Sequence, residues 1–148
     1  MAALTDVTSL RNRGKPSQIA YVVANGVTVY PGSLVAVNAA GFLVPYAHVA
    51  GTRTVGIMND GDAKTGDAGG TVLASVDVAG ALIEQVTVTG VTGIADVNSE
   101  VYGLTDNLND LKLAQAATQG AVGMITRYYS GTLCDVWIYQ ASQIVTDA

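Results

Sequence analysis

At 148 residues the chain amounts to one domain, large enough to bury roughly 70% of its unfolded surface. Hydrophobic residues make up 49% of it and charged residues only 13%, about half the usual charged share, so part of the apolar excess is expected to be covered by other chains. A net charge of −5 argues against binding nucleic acid through a general field, and polar or turn residues interrupt every apolar run well before the roughly 18 residues of a membrane-spanning helix.

The opening run, Met1-Ala2-Ala3-Leu4-Thr5-Asp6, has neither the basic start nor the apolar stretch of a signal peptide, so synthesis in a cytoplasm is expected. Residues 1–18 show little apolar periodicity and carry Asn12, Gly14, Pro16 and Ser17. They read as an extended arm ahead of a single β-domain at residues 19–148. The arm holds Arg11, Arg13 and Lys15, three of the seven basic residues. Such a cluster either keeps a tail soluble or lets the arm fold onto an acidic protein surface through charge-assisted contacts.

From Ile19 the chain alternates short β-favouring runs with turn residues. Ile19–Ala24 predicts a strand, Asn25-Gly26 a hairpin turn, and Val27–Tyr30 the next strand. Pro31-Gly32 suits the centre of a type II turn. Leu34–Val37 and Phe42–Val44 flank an Asn38/Gly41 turn, and Thr54–Met58 is closed by Asn59-Asp60-Gly61. Residues 60–70 read as a polar, Gly-rich loop, a solvated and flexible hairpin tip. Thr71–Val78, Ala81–Thr89, Ser99–Tyr102, Leu111–Ala114, Gly123–Tyr129 and Leu133–Tyr139 complete the strands. Leu104, Leu108, Leu111 and Gln115 have near-helical spacing, but Asp106, Asn107, Asn109 and Asp110 compete for backbone hydrogen bonds, so a turn is expected there, with at most one helical turn at 115–119. About ten short strands at this spacing predict an all-β fold, a sandwich or barrel.

Part of the pattern is written twice. Ile19, Val22, Gly26, Val27 and Thr28 recur as Ile83, Val86, Gly90, Val91 and Thr92 at an offset of 64. Ser33-Leu34-Val35 answers Ser99-Glu100-Val101, Phe42-Leu43-Val44 answers Leu111-Lys112-Leu113, and Gly56-Ile57-Met58 answers Gly123-Met124-Ile125. The echo is either chance similarity between Val/Thr/Gly-rich strands or a duplicated β-unit with halves at residues 19–78 and 83–140, a scaffold signature rather than a catalytic one.

Reaction chemistry has little to work with. His48 is the sole histidine and Cys134 the sole cysteine, so the common zinc constellations and an intrachain disulfide are excluded. His48 could serve Ser33 or Ser75 as a base, but there is no nucleophile-elbow motif, and a structural histidine is the better reading. Cys134 sits in a strand run and reads as a buried, inert thiol. Asp60, Asp62 and Asp67 invite calcium, yet the spacing is not that of an EF-hand, and Lys64-Thr65 lacks the order of a phosphate loop. The aromatics Tyr21, Tyr30, Tyr46, Tyr102, Tyr128, Tyr129, Trp137 and Tyr139 could form a stacking platform, or they could be core and interface packing. No catalytic, cofactor-binding or metal residue is assigned.

The arm Arg11-Asn12-Arg13-Gly14-Lys15, followed by repeated β-segments, resembles the capsid cement (head decoration) proteins of tailed bacteriophages. The segments are Gly32-Ser33-Leu34-Val35, Gly41-Phe42-Leu43-Val44 and Val55-Gly56-Ile57-Met58, then Ser99-Glu100-Val101-Tyr102, Asp110-Leu111-Lys112-Leu113 and Ala121-Val122-Gly123-Met124-Ile125. The resemblance spans most of residues 10–140 through short motifs of common residues. It implies a small β-sandwich or barrel, an oligomer and most often a trimer, on the outside of an expanded capsid. There it would bridge major capsid protein subunits against the pressure of packaged DNA, without catalytic residues, cofactors, nucleic acid or membrane. The doubled pattern departs from the single compact unit of many relatives, which leaves the oligomeric state open. Arg11, Arg13 and Lys15 are the expected capsid contacts, and the loop at 60–67 is a weaker candidate. The alternative is a carbohydrate-binding or receptor-contact module on a virion or cell surface.

Overall fold

The computed structural model describes residues 17–148. Among these residues the fold is all-β, with twelve strands and two single 3-10 turns at Ile94–Asp96 and Ala141–Gln143. The first half contains β1 (Gln18–Val22), β2 (Thr28–Val29), β3 (Leu34–Val37), β4 (Leu43–Pro45), β5 (Arg53–Met58), β6 (Lys64–Thr65) and β7 (Leu73–Asp77). The second contains β8 (Ala81–Thr89), β9 (Glu100–Gly103), β10 (Leu111–Lys112), β11 (Gly123–Ser130) and β12 (Leu133–Ile138). β1 begins at Gln18 and the Ser17 carbonyl accepts from Val78, so sheet pairing takes in the last residues assigned to the arm.

The first half forms a sheet in the order β1-β7-β5-β3-β4, with β2 and β6 as a separate ribbon. The second forms a closed barrel in the order β8-β12-β11-β9-β10, sealed by parallel pairing of β10 with β8. The two orders match strand for strand. Even the seal has a counterpart: Val88 faces Leu111 across the parallel β8–β10 pair, and a parallel bridge joins Val23 to Leu43 in the first half. Inward-pointing residues correspond in the same way. Val35, Leu43, Met58 and Val76 fill the first core, and Val101, Leu111, Ile125 and Val136 fill the second. Each such side chain contributes roughly 1.5–3 kcal/mol by leaving water.

Pairing register refines the expected repeat. Ile19 faces Val76 and Ile83 faces Val136, but further on Tyr21 faces Ala74 and Val86 faces Cys134. One extra residue has entered β8, and it is Gln85, held at φ 54. The offset of 64 therefore gives way to 65 at this bulge. Asp135, nearly buried, supports the bulge by accepting from the Gln85 N–H at 2.9 Å and from the Tyr129 hydroxyl at 2.8 Å. Leu43, rather than Phe42, answers Leu111, since Leu43 pairs with Val37 as Leu111 pairs with Gly103.

Glycines mark the shared geometry. Gly56 faces Val35 and Gly123 faces Val101. A Cβ at these sites would lie 1.9 Å from the Asp77 carbonyl oxygen and 2.2 Å from that of Trp137, so the backbones approach too closely for any side chain. The type II turn expected at Pro31-Gly32 is present, with Gly32 at φ 80 and the Ser33 N–H donating to the Tyr30 carbonyl at 3.1 Å. Its counterpart in the second half places Asn98 at φ 72, and the Ser99 N–H donates to Asp96 at 3.0 Å.

Two local expectations are corrected. Asn25-Gly26 turns the chain but joins no hairpin, because β1 pairs with β7 and β2 with β6. Residues 60–70 are not a free tip. Lys64–Thr65 pairs with Thr28–Val29, Asp60 accepts from the Ser75 N–H at 2.7 Å, and Asp67 accepts from the Thr71 N–H at 2.8 Å. At 115–119 the expectation of at most one helical turn agrees with the structure, a turn closed by the Gln119 N–H donating to the Ala116 carbonyl.

Candidate functional site

The halves meet along a seam with polar order and apolar depth. Strand alternation sends Val35 into its own core and its neighbour Leu34 outward, yet Leu34 is fully buried because it enters the second half's core. Its N–H donates to the Asp106 carbonyl at 2.8 Å. Ile57, opposite Leu34, packs against the same cluster. Tyr46 follows, 5% exposed, with its ring against Gly103, where a Cβ would lie 2.2 Å from the ring. Gln119 Nε2 donates to the Tyr46 hydroxyl at 2.5 Å and to the Gly103 carbonyl at 2.8 Å. Burial raises the Tyr46 hydroxyl above its usual pKa; the Gln119 hydrogen bond opposes this, and the charge of Asp147 adds to it.

The C-terminal segment crosses back onto the first half. The Arg53 guanidinium donates to the carbonyls of Ile144 at 3.1 Å and Ala141 at 2.7 Å. Asp147 exchanges backbone hydrogen bonds with Gly51 and Thr52, and its carboxylate meets His48 Nδ1 at 2.7 Å. His48 Nε2 lies 3.1 Å from the Ala117 carbonyl, so this histidine ties together three segments. Neither Ser33 nor Ser75 is among its hydrogen-bond partners; the Ser33 hydroxyl donates to the Tyr30 carbonyl.

Beside the tail lies a groove of about 420 Å³ lined by Glu100, Tyr102, Gln119, Tyr139, Gln143 and Val145, among others. Burial, with the nearby Glu100 charge, pushes the Tyr102 and Tyr139 hydroxyls up, which keeps both as neutral donors. These two are the aromatics of the anticipated platform that come together there; Tyr21, Tyr30, Tyr46, Tyr128, Tyr129 and Trp137 do not line it. Cys134 is fully buried in the second core, and burial raises its thiol pKa, so little nucleophilic thiolate is available. Asp60 accepts from the Ser75 N–H on β7, Asp67 closes a local turn with Thr71 and Asp62 is exposed, and no group of three metal-ligating side chains occurs among the described residues.

Arg11, Arg13 and Lys15 lie outside the described residues. On the described surface the feature that sequence reasoning missed is an apolar row across the second half. Leu82 on β8 faces Trp137 on β12, and Trp137 faces Met124 on β11. Leu82 is 52% and Trp137 37% exposed. Strand parity carried the signal: Val136 and Ile138 point inward, so Trp137 between them points out. No family model, curated protein or solved structure matches this chain.

Proposed function

We propose that this protein is a structural capsid cement (decoration) protein that binds the exterior of a mature phage head. It bridges major capsid protein subunits and stabilises the shell against internal DNA pressure, acting as a homo-oligomer and without catalysis. The observation that carries this reading is the apolar Leu82–Trp137–Met124 row, with Leu82 and Trp137 exposed, on a body with so few charges. An exposed apolar patch offers contact area rather than a reaction site. Repetition by symmetry turns many modest contacts into firm attachment.

The arm supplies the second contact. Arg11, Arg13 and Lys15 are positive charges on an otherwise acidic chain, suited to an acidic seam between capsid subunits. The test is co-sedimentation of the full chain with the cognate capsid before and after expansion. Saturable binding to expanded shells alone is expected, and no binding to either form would overturn the reading. Replacing Arg11, Arg13 and Lys15 together by alanine should weaken binding about tenfold at low salt. Undiminished affinity would remove the arm from the contact.

One observation favours the carbohydrate-binding alternative, the meeting of Tyr102, Tyr139 and Glu100 in one groove. That reading predicts saturable glycan binding lost in Tyr102→Ala. Silence on a glycan array together with capsid binding would discard it.

A further inference from the structure

Strand pairing puts Glu100 of the second half where the first half has Leu34, and Met124 where it has Ile57. Leu34 is buried in the seam, whereas Glu100 is exposed on a wall of the groove beside the C-terminal segment. Tyr102 and Tyr139 stand with it there, and its charge reaches both phenols. No lysine, arginine or histidine lines this groove. Among the described residues the one ion pair joins His48 to Asp147, so Glu100 has no cationic partner among them. The described chain begins close by. The Ser17 carbonyl accepts from the Val78 N–H at 3.0 Å, and the Val78 carbonyl from the Ala141 N–H at 2.9 Å. Ser17 therefore lies within two strand spacings, about 10 Å, of the 3-10 turn whose Gln143 lines the groove. β1 runs antiparallel to β7, so its start faces the 78–80 connection, where Gly80 abuts Trp137 and Gln140 of the second half.

We infer that in the free protein this groove holds the chain's own residues 11–15, with Arg11 and Arg13 set against Glu100, Tyr102 and Tyr139. The occupant follows from attachment, reach and charge. It joins the body at Ser17, beside the groove. Extended chain advances about 3.3 Å per residue, which carries Arg13 about 13 Å and Arg11 about 20 Å from Ser17, far enough to pass Ala141 and enter the groove. Arg11, Arg13 and Lys15 against Asp6 give residues 1–16 a net charge of +2, while four basic and eleven acidic residues from Ser17 onward give −7. A guanidinium suits the wall it meets, since its plane stacks on a phenol ring while its N–H groups donate to a carboxylate. Because the arm is tethered, its effective concentration at the groove is about millimolar, and a modest contact suffices to fill it. The inference goes beyond the cement reading and concerns the chain without a capsid. A capsid seam competes with the groove for the same three charges.

The test is paramagnetic broadening in the NMR spectrum of the full chain, with a nitroxide attached at Ser9→Cys; Cys134 is fully buried and stays unlabelled. The amides of Glu100, Gly120, Tyr139 and Val145 should broaden. Replacing Arg11 and Arg13 by glutamate should abolish the effect, and so should about 1 M salt, where the screening length falls to about 3 Å. Glu100→Gln, a change at an exposed position, should lower the docked-to-free ratio about threefold, the measure of one exposed ion pair. A dispersed amide spectrum establishes that each variant is folded. Isotope-labelled chains mixed with spin-labelled, unenriched ones should show no broadening, because each groove is filled by its own arm. Groove amides that never broaden, broadening indifferent to charge reversal, or broadening as strong between chains as within one would overturn the inference. No capsid is present in these samples, so a failure here leaves the cement reading to its own co-sedimentation test.

Discussion

The two halves use one strand order and one pattern of inward residues, yet they treat their outward faces differently. In the first half the face bearing Leu34 and Ile57 is covered by its neighbour. In the second, the matching positions are an exposed glutamate and a methionine beside an exposed tryptophan. The interior sets what both halves must keep, because close-packed cores tolerate little change in volume. The surface records what each half meets. An outward position that is apolar and covered belongs to the seam, and one that is apolar and bare belongs to a contact still to be made.

The comparison can be broken most forcefully at the glycines. Gly56→Val and Gly123→Val should each destabilise by about 3 kcal/mol or more, since both drive a side chain into a backbone carbonyl. Thermal melts should show the larger loss at Gly56, where a φ of 146 adds backbone strain that Gly123 does not carry. A sharper contrast comes from the row beside them. Leu34→Ala should cost about 2–5 kcal/mol and Glu100→Ala less than about 0.5, although the two occupy corresponding positions. Denaturant unfolding of both variants measures the difference; equal effects would dissolve the distinction between covered and bare faces.

Smaller changes probe the seam and the turns. Tyr46→Phe removes the acceptor of one Gln119 hydrogen bond and should cost about 1 kcal/mol, since Gln119 keeps the Gly103 carbonyl. The smallest effect concerns Asp67 and Asp96. Hydrogen bonds from the Thr71 side chain and backbone, and from the Thr92 backbone, lower their pKa values. A lowered folded pKa means that stability is present above the ordinary value of about 4 and is lost as pH falls through the folded one. Melting temperature should therefore hold steady down to about pH 4 and decline below it, with a shallower decline in the Asp96→Asn variant.

Much of the fold was legible because short strands announce themselves by parity and by the turn residues between them. Leu34–Val37 and Ala81–Thr89 were anticipated residue for residue, and the Pro31-Gly32 turn by type. Asn25-Gly26 misled because the turn chemistry is local while β1 finds its partner in β7, far along the chain. Lys64–Thr65 escaped notice because its two polar residues owe their strand to β2 rather than to any pattern of their own. The seam was illegible for a related reason. Tyr46 and Gln119 lie 73 residues apart, and nothing in either segment names the other. The bare row could have been found by assigning Trp137 and Leu82 the parity opposite to their buried neighbours.

Heads packed with DNA offer the most direct trial of the idea that this chain works by holding a shell together. DNA release on heating is followed by dye fluorescence, with the shells stripped and then saturated with the full chain. Saturation should raise the release temperature, in step with occupancy. Release at the same temperature at full occupancy would contradict the account.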